Sequence, residues 1–139
     1  MIKLLLASLV AVSLIQAKEL NTQMQEFMNT LKVEAKKQNP NFKEFDYARG
    51  EEIFTTEAIG KKGKLISCVS CHTDTLSNKG MNKHTNKVIE PLSPSANTQR
   101  FTDIKDVKKW LRRNFNDVYK REGTALEKGD VITYMIKKG

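Results

Sequence analysis

"ISCVSCHTD", residues 66–74, holds both cysteines of the chain and one of its two histidines within the five positions from Cys68 to His72. Scattered at random, two cysteines three apart with a histidine directly after them would arise roughly once in 5000 arrangements. The cluster is therefore a unit of chemistry, and the segments on either side are expected to build its surroundings.

Four chemistries use two cysteines at this spacing: a structural disulfide, a thioredoxin-like redox pair, a zinc site and a covalent c-type haem site. A disulfide leaves His72 unused, and its loop is too short to stabilise much. A redox pair follows a buried strand, yet the approach here, "EAIGKKGKL" (57–65), is basic and broken by glycine. Zinc would have to draw on Cys68, Cys71, His72 and His84, in which the adjacent Cys71 and His72 would strain to reach one tetrahedral ion. Haem attachment uses every residue. Two thiols add to the two vinyl groups on one porphyrin edge, and the next residue turns its imidazole beneath the ring to the iron. This reading makes the cofactor one covalently attached haem c, bound by Cys68 and Cys71, with His72 as proximal axial iron ligand.

The wider chain fits such a site. At 139 residues, 39% hydrophobic and 29% charged, it reads as one soluble globular domain. Its 24 Lys and Arg against 16 Asp and Glu predict attraction to anionic partners: acidic proteins, membrane surfaces or nucleic acid. The amino terminus, "MIKLLLASLVAVSLIQA", has Lys3, an apolar stretch from Leu4 to Ile15 and the small Ala17, the pattern of a secretory signal over residues 1–17. That stretch is shorter than the roughly 20 residues needed to span a bilayer. The expected location is periplasmic or otherwise exported, with a monohaem domain over 18–139, and export argues against a nucleic-acid partner.

Helical patterns dominate. From Leu20, apolar residues recur at Met24, Phe27, Met28 and Leu31 until "KKQNP" stops the pattern at Pro40. In "FKEFDYARGEEIFTTEAIG" (42–60), Gly50 leaves a bare patch of backbone one turn from Phe54, where another helix can cross closely. The last segment offers that helix: Thr124 and Glu127 form a capping box, and Leu126, Val131, Tyr134 and Met135 give the apolar face. An all-α class I cytochrome c-like fold is predicted, Gly50 and Phe54 meeting Tyr134, with an extra N-terminal helix.

Residues 73–101 are polar and aperiodic, and read as a long loop wrapping the haem edge. A backbone carbonyl between Pro91 and Pro94 is a candidate acceptor for the proximal histidine's N–H. Candidates for the sixth iron ligand are Met81, His84, Asn114, Asn116 and Met135. Met135 shares a core stripe with Val131. Met81 and His84 follow His72 so closely that the loop would have to turn back early. In the helix from Thr102, Ile104, Val107, Leu111, Phe115 and Val118 form one apolar sector, with Asn114 on its flank and Asn116 on the polar side.

In order along the chain, "CVSCHT", "PLSPSANTQRFTD", "KKWLRRNF" and "EKGDVITYM" resemble the sphaeroides haem protein family of small exported c-type cytochromes. The resemblance implies a class I-like fold, one haem, and an asparagine, here Asn114, as the distal axial iron ligand. It further implies a ferrous haem that opens to bind oxygen or nitric oxide, with membrane cytochrome b and dihaem cytochrome c as electron sources. The family commonly carries a cysteine directly after its ligand asparagine and another eight residues later. Here those positions hold Phe115 and Gly123, so both halves of that bridge are absent together.

The expected function is that of an exported monohaem cytochrome that transfers single electrons and opens its reduced iron to a diatomic gas. The alternative is a six-coordinate carrier with a permanent Met or His ligand. An electron-transfer or gas-binding haem protein is expected rather than a dedicated enzyme. Basic clusters at Lys61, Lys62 and Lys64 and at Lys108, Lys109, Arg112 and Arg113 are expected to steer docking of an acidic redox partner.

Overall fold

Side-chain caps set where the helices begin. In the computed structural model, which describes residues 20–139, α1 (Thr22–Gln38) starts behind Asn21, whose side chain accepts from the Met24 amide. α2 (Tyr47–Thr55) starts behind Asp46, which accepts from the Arg49 amide. A one-turn helix, α3 (Val69–His72), carries the cysteine motif. α4 (Ile104–Tyr119) is capped by Asp103, one residue later than the expected start at Thr102, because the carboxylate takes the Lys105 and Asp106 amides. α5 (Ala125–Lys138) has the reciprocal Thr124–Glu127 capping box that the T-x-x-E spacing predicts. Each cap satisfies amides that have no partner inside the helix. The secretory-signal reading of residues 1–17 lies outside the described residues.

Two antiparallel ribbons accompany the helices. β1 (Ala58–Ile59) pairs with β2 (Leu65–Ile66), Ala58 opposite Ile66. β3 (Gly80–Met81) pairs with β4 (Val88–Ile89), Gly80 opposite Ile89. The second ribbon lies inside the stretch expected to be loop throughout. Strands of two residues leave no periodic signature, so the fold remains all-α while that loop has a hairpin in it.

The core is organised by α2 crossing α5, where Gly50 permits backbone contact. A Cβ at position 50 would lie 2.1 Å from the Asp130 carbonyl oxygen and 2.8 Å from Tyr134 Cβ. One turn on, the Phe54 and Tyr134 rings pack with centroids 5.2 Å apart, both fully buried. The predicted crossing is therefore present. Asp130 locks it: Oδ1 accepts from the Asp46 amide at 2.7 Å and Arg49 Nη2 at 3.0 Å, and Oδ2 from Arg49 Nε at 2.8 Å. Gly50→Ala is expected to force the helices apart and lower stability by about 3 kcal/mol, the upper end for overpacking, since backbone cannot yield as a side chain does. Denaturant unfolding of the purified protein checks it.

The extra helix α1 packs on α5 and α4 through Met24, Leu31 and Ala35, all buried. No helix among the described residues is long and apolar enough to cross a membrane.

Candidate functional site

Cys68 is the N-cap of α3 and His72 its last residue, so the two stand one turn apart on one face. The turn is closed by the His72 amide donating to the Cys68 carbonyl at 3.0 Å and by Ser70 Oγ accepting from the Ser67 amide at 2.9 Å. Cys68 and His72 line a cavity of about 240 Å³. Cys71 is not in that wall; its sulfur receives the Lys83 amide at 3.5 Å. Both thiols are free. No three His, Cys, Asp or Glu gather as a metal-holding group among the described residues, so the zinc set with His84 is not assembled.

Burial dictates the chemistry of these groups. It pushes the Cys68 thiol up to about 12, with a smaller contribution from Cys71. It pulls His72 down to about 4, assisted by the positive charge of Arg100, so the imidazole is neutral at physiological pH and keeps a lone pair for a metal. The Phe54 ring lies 6.1 Å from the imidazole, centroid to centroid. His72 Nδ1 is buried and has no hydrogen-bond partner. The acceptor expected between Pro91 and Pro94 does not serve it: the Pro91 carbonyl takes Arg100 Nε at 2.7 Å and Asn97 Nδ2 at 3.3 Å, and the Ser93 carbonyl takes the Ala96 and Asn97 amides.

Across the cavity, α4 presents Val107, Trp110, Leu111 and Asn114, the i, i+3, i+4, i+7 stripe of one helix face. Met135 of α5 lines it too, and is also buried core. Met81 is 48% exposed on β3, and His84 and Asn116 are exposed as well; none of the three reaches the cavity. A neutral imidazole and a half-buried thiol on one wall, with an amide and apolar side chains on the other, fit a covalently attached haem.

At the positions where the family bridge is missing, the Phe115 ring packs on the bare backbone of Gly123. A Cβ there would sit 2.9 Å from three ring atoms. Phe115 is 5% exposed, so α4 is held beside Asn114 by packing instead of a covalent clamp.

Some features of the site have no local signature. Gly80 lets β3 lie on the motif's backbone: a Cβ would meet the Cys71 carbonyl oxygen at 2.1 Å. Ser93, fully buried, and Ser95 donate to the Gly139 carbonyl at 2.9 and 2.7 Å, which ties the PLSPSAN stretch to the end of α5. Arg100 lines the cavity although it reads as one more surface cation in a basic chain.

A Cys-x-x-Cys-His turn that opens onto a cavity beside crossed α2 and α5 defines a class I c-type cytochrome. Residues 40–135 match a family model described as a domain of unknown function (DUF1924). The cytochrome c-type protein SHP of Cereibacter sphaeroides is 40% identical over 90 residues, 65% of this chain and 69% of that protein. Cytochrome c'' of Methylophilus methylotrophus is 35% identical over 98 residues, 70% and 68% of the two chains. The crystal structure of oxidised cytochrome c'' from that organism superposes with a TM-score of 0.72 at 32% identity, covering 82% of this chain and 93% of the other. Oxidised SHP, described as an oxygen-binding cytochrome c, superposes with a TM-score of 0.70 at 33% identity, covering 81% and 94%. The chain belongs to the SHP-like family of cytochromes. As a c-type cytochrome it has covalently attached haem c.

Proposed function

We propose that this protein holds one haem c and works, after export, as a one-electron carrier whose iron opens on reduction to a diatomic gas: oxygen, nitric oxide or carbon monoxide. Bound haem supplies a one-electron iron couple and, where an axial position is open, affinity for such gases. Cys68 and Cys71 anchor it, His72 holds the proximal position and Asn114 the distal one.

The observation that carries this reading is that the Asn114 amide lines the same cavity as His72, whereas Met81 and His84 lie outside it. An amide oxygen is a hard, neutral ligand that holds ferric iron better than ferrous, so reduction loosens it. The relatives support the reading, since SHP is described as oxygen binding and the solution structure of cytochrome c'' concerns haem-ligand detachment. One observation favours a second reading: Met135 lines the cavity, and a thioether there would make a permanently six-coordinate carrier. Spectra of the oxidised, reduced and carbon monoxide-treated protein separate the two. A five-coordinate ferrous form that binds carbon monoxide rapidly is expected.

The proposed partner is an acidic redox protein; membrane cytochrome b and dihaem cytochrome c are the candidates that the family resemblance implies. Lys108, Arg112 and Arg113 are exposed on α4, and Lys61, Lys62 and Lys64 are exposed around the β1–β2 turn. The Lys61 amide donates to the Asp117 carbonyl at 2.9 Å, so the two basic clusters sit on touching elements. Trp110, 46% exposed, lies among them with Lys109 Nζ and Arg113 Cζ at 5.1 and 5.5 Å from its ring centre. The bimolecular rate of electron transfer with an acidic partner is expected to fall about tenfold or more between low and physiological salt. A stopped-flow rate that is flat or rises with salt would remove the steering role.

A further inference from the structure

Arg100 is a half-buried cation in the cavity wall, and the carboxylates around it are engaged elsewhere. Nε donates to the Pro91 carbonyl at 2.7 Å and Nη2 to the Glu90 carbonyl at 2.5 Å, which pins the guanidinium to the backbone. A guanidinium has five N–H donors, so those on Nη1 remain. No carboxylate forms an ion pair with Arg100 among the described residues. Glu90 pairs with Lys79 at 3.0 Å, Asp106 with Lys109 at 2.5 Å, and Asp103 caps α4. Burial accordingly lowers the Arg100 pKa, only partly opposed by Glu90. The next residue, Phe101, has φ of 58°, a left-handed conformation uncommon for a non-glycine side chain. The chain thus adopts an unfavoured turn beside a charge drawn out of water without a counter-ion, and such a charge is costly until an anion meets it.

We propose that Arg100 is a carboxylate-binding site, and that its ligand is a propionate of the haem proposed for this cavity, paired through the guanidinium fork. The inference rests on the haem reading of Cys68, Cys71 and His72. Haem has two carboxylates, and a carboxylate entering a mostly apolar cavity needs a charged donor as much as this donor needs an anion. Neutralising the propionate removes a negative charge that would otherwise favour ferric iron, so Arg100 raises the reduction potential.

Resonance Raman spectra of the ferrous holoprotein read the propionate bending bands directly. The native band is expected at the position of a hydrogen-bonded carboxylate, displaced from that of a haem peptide in water, and Arg100→Gln is expected to abolish the displacement. The same variant should favour the ferric state about tenfold, which is 59 mV for a one-electron couple. Arg100→Lys keeps the charge without the fork, and should lose part of the band displacement and less than half of the potential change. A native band at the haem-peptide position, an unchanged band in Arg100→Gln, or a potential that follows added acetate at constant ionic strength overturns the proposal. Should neither variant assemble, the native band decides alone. A native protein without covalent haem would fail the haem reading itself, and intact mass shows this before any spectrum is taken.

Discussion

Cys68→Ala combined with Cys71→Ala is expected to abolish covalent haem entirely, and His72→Ala to prevent normal assembly. The chain has no other thiol, so no alternative attachment exists. Each thiol would add across a vinyl group, sulfur to one carbon and the proton to the other, with no oxidant consumed. The Cys68 thiol, pushed up to about 12 by desolvation, stays protonated until that step. The cavity beside Phe54, Leu111 and Val131 would then have nothing to fill it, and an unfilled apolar space of this kind costs on the order of 24 cal/mol per Å³. The variants should therefore be colourless and markedly less stable. Intact mass of the native protein, expressed with haem-attachment machinery, is expected to show loss of residues 1–17 and gain of one haem. Two alkylatable thiols in that protein would end the proposed attachment.

Legibility in the sequence followed the range of the interaction. The Cys68–His72 cluster could be read because its chemistry is complete within five positions, and the α5 cap because Thr124 and Glu127 are three apart. The α2–α5 crossing could be read because a glycine one turn from an aromatic is a local mark of close approach. Arg100 could not: its burial depends on carbonyls nine and ten residues back, at Pro91 and Glu90, and on a left-handed residue at 101. Asp130 is 1% exposed only because Arg49 and the Asp46 amide, more than 80 positions away, converge on it. The acceptor expected for His72 in the 91–94 stretch is likewise absent: Nδ1 has no partner, and the Pro91 carbonyl accepts from Arg100 and Asn97 instead.

Asn114→Ala is expected to leave haem attached and to convert the ferric spectrum completely to a water-bound high-spin form. The amide sits on the stripe of α4 that faces the cavity, one position before the fully packed Phe115. Truncation would remove the proposed distal donor without touching Phe115 and Val118, which are buried outside the cavity wall, Phe115 against Gly123. The cost to stability should be small, below about 1 kcal/mol for a partly exposed helix position. Met135→Leu is the matching control. If Met135 is core alone, leucine should fill its place and leave ferric and ferrous spectra unchanged; if its thioether is the sixth ligand, that variant and not Asn114→Ala should open the iron. The ferrous native protein is expected to give the converse result: a weak amide released on reduction would leave the iron open, and carbon monoxide should bind without waiting for a ligand to dissociate. A low-spin ferrous spectrum inert to carbon monoxide, or a ferric spectrum indifferent to Asn114→Ala, would falsify the assignment and leave Met135 as the ligand of a simple electron carrier.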